Sequence, residues 1–241
     1  MAKEEILEPT GILGLDYTLG GLPRGGLLVV MGDPGSGIEV FARQIAVLRA
    51  KGGCKIIYVN VDSPLEDVKR EMGLYGWDVN MLEREGLWSF IDAYGRRRSL
   101  GDTTAKRGMV REYFNEAVKE FLDKLRDNVD SCSIIDTLSY FLLTLGVSEV
   151  LKFMDDLKYY ARQGRGLHLL LVVKGLHSER TLAALTHFSD GLLDFDLNLD
   201  NPEAPGTIRV RKLKGLRYKV KPIPYRITEE GLTIETAVRI C

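Results

Sequence analysis

The chain has 241 residues with 45% hydrophobic and 28% charged side chains, enough for one α/β domain with a sizeable core. A formal net charge of −1 gives nucleic acid no support from global charge, and no apolar run approaches membrane-spanning length. Cys54, Cys132 and Cys241 are too few and too scattered for a disulfide framework or a zinc site. With no signal-peptide h-region either, a cytoplasmic protein is the default expectation.

Residues 1–9 are polar and read as a mobile arm, or as an arm onto a neighbour. Residues 12–19 carry apolar positions at helical spacing and stop at Gly20-Gly21. Pro23-Arg24-Gly25-Gly26 then turns the chain into an apolar strand, residues 27–31. The segment that follows is Gly32-Asp33-Pro34-Gly35-Ser36-Gly37-Ile38-Glu39, and it opens an apolar-periodic helix through Val40, Phe41, Ile45 and Leu48. Strand, glycine loop and helix in that order are the context of a phosphate-binding loop. Backbone N–H groups turn inward there, and the helix N-terminus adds positive potential.

Two positions break the pattern G-x-x-x-x-G-K-[ST]. Ile38 stands where the lysine would meet the β/γ-phosphates, and Glu39 where a hydroxyl would hold magnesium. One cation is lost and one anion gained. Unit charges ~4 Å apart interact by roughly 4 kcal/mol at an effective dielectric of ~20, so the reversal costs orders of magnitude in nucleotide affinity.

Residues 55–61 read as a strand buried on both faces. Asp62 and Ser63 follow it; Asp62 is expected to cap the helix over residues 65–75, with a water-activating role as its alternative. Residues 87–92 form another strand. The basic, glycine-bounded segment 95–108 reads as a solvated loop, although Arg96, Arg97, Arg98, Lys106 and Arg107 could meet phosphates or an acidic partner. An amphipathic helix is expected over residues 109–128, with Val110, Phe114, Ala117, Phe121 and Leu125 on its apolar stripe.

Residues 133–136 form a strand ending at Asp136, a position suited to a magnesium shell. Glu39 and Asp136 could together bind a divalent ion; the alternative is that Asp136 only ties the loop to the fold. Segment 137–146 is apolar and cation-free, which suits a buried helix or a protein contact and argues against a DNA channel. A helix over 148–163 and a core strand over 167–173 lead to Lys174. Its ammonium is expected either to restore positive charge at the loop or to pair with Glu39. His168 reads as a core histidine. Strands over 191–199, 207–213, 218–226 and 232–237 close the chain.

Thr10-Gly11-Ile12-Leu13-Gly14-Leu15-Asp16, Leu19-Gly20-Gly21-Leu22-Pro23-Arg24-Gly25, Ile57–Val68, Ser131–Ser139, Arg211–Gly215 and Ile227–Leu232 together resemble, in order and spacing, the KaiC-like branch of the RecA superfamily. The resemblance implies a RecA-like P-loop NTPase fold over residues 1–241 as a single domain, with a mostly parallel central sheet, flanking helices and C-terminal antiparallel hairpins. It also implies side-by-side assembly with nucleotide at subunit interfaces. In that branch a late hairpin sends two cations to the neighbour's nucleotide, and Lys212 and Lys214 fall on those positions; ordinary edge-strand charge is the equal alternative. Relatives that hydrolyse ATP carry two acidic residues where this chain has Asp62 and Ser63.

The expectation is therefore a pseudo-ATPase, a regulatory or assembly subunit that binds itself, a paralogous subunit, or a peptide strand at a sheet edge. The alternative is an atypical ATP- or ADP-binding member with weak magnesium-nucleotide affinity, or a DNA-recombination accessory factor, for which only loop cations speak.

Overall fold

The structure, a computed structural model, describes residues 7–99, 107–197, 201, 203–215 and 220–235. The chain enters through a short strand β1 (Leu7–Glu8), a helix α1 (Leu13–Leu19) and β2 (Leu22–Pro23), which pairs back on β1. Residues 7–8 of the expected mobile arm are thus held in a strand. Glu8 is fixed further by Arg24 and Arg49. Helix α1 ends where Gly20 adopts φ 76°, as the sequence predicts.

The central unit runs β3 (Leu27–Gly32), α2 (Ile38–Lys51), β4 (Ile56–Asn60), α3 (Leu65–Leu74), α4 (Val79–Arg84) and β5 (Trp88–Asp92). It continues through α5 (Ala93–Ser99), α6 (Arg107–Asp127), β6 (Cys132–Asp136), α7 (Ser139–Leu145), α8 (Val147–Ala161) and β7 (His168–Val173). Helix α9 (Glu179–Phe188) precedes β8 (Gly191–Asp196), β9 (Gly206–Leu213), β10 (Ile223–Thr228) and β11 (Gly231–Ile234).

Nine strands form one sheet in the order β11-β10-β9-β8-β3-β7-β6-β4-β5. From β5 across to β8 the pairings are parallel, and from β8 to β11 they are antiparallel. The parallel strands β3, β4 and β6 are buried at every position, which explains their near-continuous apolar sequence. Two apolar layers result. One packs α1 and α2 against Val30, Tyr58, Ile134 and Phe195; the other packs α6, α7 and α8 against Val29, Val59, Ile135 and Leu170.

Three expectations need correction. Segment 95–108 is not one loop: residues 93–99 are helical in α5, α6 has begun by Arg107, and Lys106 lies outside the described residues. Helix α5 holds because distant groups take up its charge. Arg96 pairs with Glu120, and the Arg97 guanidinium lies 4.9 Å from the Tyr94 ring centre and 4.2 Å from that of Tyr140. Asp62 does not cap α3, whose N-cap position is Pro64 and which has no side-chain cap; its carboxylate accepts from Thr137 Oγ1 at 2.5 Å instead. Cys54 is not isolated, since its sulfur lies 3.1 Å from that of Cys132. The expected helix within 137–146 is present as α7, and His168 is buried with Nδ1 2.9 Å from Ser133 Oγ.

Candidate functional site: the glycine loop and its acidic pocket

Parallel strands place their carboxyl ends on one edge, where open α/β sheets build sites. Here β3 delivers the glycine loop at Gly32, β6 delivers Asp136, and the chain beyond β4 delivers Asp62 and Ser63. Loop residues 33–37 are held by the strands beside them. Asp33 N–H donates to Phe195 O at 3.3 Å, its carboxylate accepts from Leu197 N–H at 3.1 Å, and Ser36 N–H donates to Asp33 O at 2.9 Å. Tyr225 Oη donates to Ser36 O at 2.7 Å, which ties β10 to the loop. Pro34 and Gly35 are exposed at its tip. Gly37 sits at φ 76°, a left-handed conformation that favours glycine, and a Cβ there would lie 2.1 Å from Ile227 Cδ1, which would have to move.

The loop leads into α2 with two unusual side chains. Ile38 is turned into the core, 2% exposed, packed between Gly32 and Phe195. It therefore presents no group to the mouth of the loop. Glu39 lines a pocket of about 420 Å³ with Arg43, Asp62, Ser63, Glu71 and Asp136. Burial pushes the Glu39 carboxyl above its ordinary range, and the facing Asp136 pushes it further.

Arg43, one turn beyond Glu39, lines the same pocket and is buried. Its Nη2 meets Asp136 Oδ2 at 2.9 Å, its Nη1 meets Glu71 Oε2 at 2.8 Å, and its Nε donates to Tyr58 Oη at 2.8 Å. Tyr58 Oη in turn donates to Asp136. Burial works against the arginine's charge, but Tyr58, Asp136 and Glu71 more than offset it, so Arg43 remains a cation. Asp136, the expected magnesium position, is thus held by an arginine and a phenol of its own chain. Around the loop the pocket gathers four carboxylates, Glu39, Asp62, Glu71 and Asp136, and the Arg43 guanidinium pairs with two of them, Asp136 and Glu71. The paired Glu39–Asp136 metal idea meets the same obstacle, and among the described residues no group of three or more metal-ligating side chains is present.

Lys174 departs from both expectations for it. Its N–H donates to Gly32 O at 2.8 Å, but its ammonium meets Phe195 O at 2.9 Å, Asp196 at 2.5 Å and Asp194. It pairs with carboxylates of β8 rather than with Glu39. Two acidic residues at alternate strand positions were a stronger local sink for the charge than one glutamate beyond the loop. Lys212 donates to the carbonyls of Thr186, His187 and Ser189 at 2.8, 3.1 and 2.6 Å, so it closes the last turn of α9 in its own chain. Lys214 is exposed.

Arg43, Tyr58, Glu71 and Thr137 are site residues that the motif reading passes over. Only Arg43 leaves a signal in sequence: a cation four residues after Glu39, on the same face of an otherwise apolar helix.

A family model described as "ATPase: KaiC" matches residues 8–238. A UPF0273 protein of Pyrococcus furiosus is 27% identical over 93% of this chain and 92% of its own length. One from Thermotoga maritima is 26% identical over 93% and 94%. The circadian clock protein KaiC3 of Synechocystis is 36% identical, over 35% of this chain and 17% of its own length. Among solved structures, a KaiC-like protein of Pyrococcus horikoshii superposes with a TM-score of 0.77 at 21% identity, covering 95% of this chain and 98% of its own.

Proposed function

The chain belongs to the KaiC ATPase family, and we propose that it is a member that no longer turns over ATP and works as a regulatory or assembly subunit through protein contacts. The observation that carries this reading is the Arg43–Asp136 ion pair at 2.9 Å, closed by Tyr58 and Glu71. Phosphoryl transfer needs positive charge on the β/γ-phosphates, a metal ion held by the Asp136 position, and a placed base for the attacking water. Ile38 withholds the first, Arg43 occupies the second, and Asp62 is spent on Thr137 while Ser63 brings no carboxylate.

Assembly is the function left to such a chain. The partner is a second copy or a paralogous subunit, with Lys214 as the cation of the late hairpin that reaches across, since Lys212 is engaged within its own chain. A peptide or linker strand added to a sheet edge, at β5 or β11, is the second mode of contact. The test of the nucleotide claim is calorimetric titration with ATP and ADP, with and without magnesium. The reading expects no binding heat at tens of micromolar protein. A magnesium-dependent dissociation constant in the micromolar range would favour the atypical nucleotide-binding member, for which the intact loop backbone and the roomy pocket speak.

A further inference from the structure

The opposite end of the same sheet carries a group that the nucleotide site does not use. Cys54 leads into β4 and Cys132 opens β6, its neighbour in the sheet. Ile56 lies opposite Cys132 in the register, and Cys132 N–H donates to Lys55 O at 2.9 Å. Because side chains alternate along a strand, Cys54 and Ile56 share the face that Cys132 presents. The two sulfurs consequently meet diagonally at 3.1 Å, within about an ångström of bonding distance.

Their surroundings differ. Cys132 is 4% exposed, whereas Cys54 is half-buried between exposed Gly53 and Lys55. Arg49, in the last turn of α2, brings a positive charge to bear on both sulfurs, and its buried Nε has no hydrogen-bond partner. Its Nη1 holds Glu8 Oε2 at 3.0 Å, and Glu8 opposes ionisation of Cys54. The contact with Cys132 and the charge of Arg49 draw the Cys54 thiol below its ordinary range against the cost of burial, while Cys132 is pushed up. One thiol is thus accessible and nucleophilic, and the other is sheltered beside it.

We propose that Cys54 and Cys132 form a redox-active pair that a hydroperoxide converts into an intramolecular disulfide and a dithiol reductant restores. The Cys54 thiolate attacks the peroxide, the O–O bond breaks, and the products are a sulfenic acid and hydroxide. The sulfur of Cys132 then displaces water from that sulfenic acid, forming the S–S bond. Two thiols and one hydrogen peroxide give one disulfide and two waters; two electrons pass from sulfur to oxygen. The bond would join the segment between α2 and β4 to the start of β6, the strand that ends at Asp136.

The test uses the full chain carrying Cys241→Ser, exposed to hydrogen peroxide and then digested without reductant. The expected product is a monomer lighter by two hydrogens, with the Cys54 and Cys132 peptides joined and separated again by dithiothreitol. Its melting temperature should rise by about 5–10 °C, as for a cross-link closing a long loop. Adding Cys54→Ser should abolish both changes and leave Cys132 free for alkylation after unfolding. Recovery of Cys54 as sulfinic acid, as an intermolecular dimer, or unreacted, with Cys132 still alkylatable, would overturn the proposal.

Discussion

Arg43 and Glu39 lie on successive turns of one helix face, and the two make opposite contributions to the pocket. Arg43 neutralises Asp136, so replacing it by methionine removes the cation and leaves the buried Asp136 carboxylate with the Tyr58 hydroxyl but no counter-charge from Arg43. The cost should be about 3–5 kcal/mol by chemical denaturation, and adding Asp136→Asn should recover part of it. A cost below ~1 kcal/mol would mean that the ion pair does not organise the site.

Glu39 is different, because burial and Asp136 hold its carboxyl above the usual 4.5. The folded chain therefore holds that proton more tightly than the unfolded chain does. Its contribution to stability is fully present below the ordinary glutamate range and is lost as pH rises through the raised one. Glu39→Gln should accordingly raise the melting temperature at pH 7.5. The advantage should vanish near pH 4, and thermal melts at the two pH values read it directly.

Elements show which parts of the structure local sequence can reveal. The strand, loop and helix around Gly32–Glu39 were legible because glycine spacing and apolar periodicity are local properties. Helix α5 was not, since three arginines and a glycine within seven residues read as a loop until Glu120, Tyr94 and Tyr140 are seen to absorb the charge. Lys212 likewise reads either as a cation sent to a neighbour or as an edge-strand charge, yet in the structure it completes α9 from a strand that lies later in the chain. Lys212→Ala should cost about 1 kcal/mol. It should also speed amide exchange in the last turn of α9 relative to the rest of the sheet. An unchanged exchange rate there would assign the lysine to an intersubunit role instead.

At the scale of the whole molecule, the parallel order of β5, β4, β6, β7, β3 and β8 brings groups from distant parts of the chain together at each end of the sheet. Arg43 and Asp136 are 93 residues apart, and Cys54 and Cys132 are 78 apart. Motif reading found Asp136 and the loop because each carries its own local signature. It could not find the pairings, which exist only once the sheet has set the neighbours. For the same reason the motif offers Lys174 only the loop or Glu39 as a destination, whereas the fold offers Asp194 and Asp196 on the adjoining strand.

The family fold and the altered site together make one claim: the pocket retains the loop's shape and lacks its charges. No described helix is long and apolar enough to cross a membrane. Magnesium-ATP would be titrated calorimetrically into the native chain and into Ile38→Lys/Glu39→Thr, with Arg43→Met added to release Asp136. The account predicts no heat from the native chain and binding by the triple variant, provided its melting curve stays cooperative. Micromolar, magnesium-dependent binding by the native chain would contradict it, because Arg43 would then have to yield Asp136 to the metal ion.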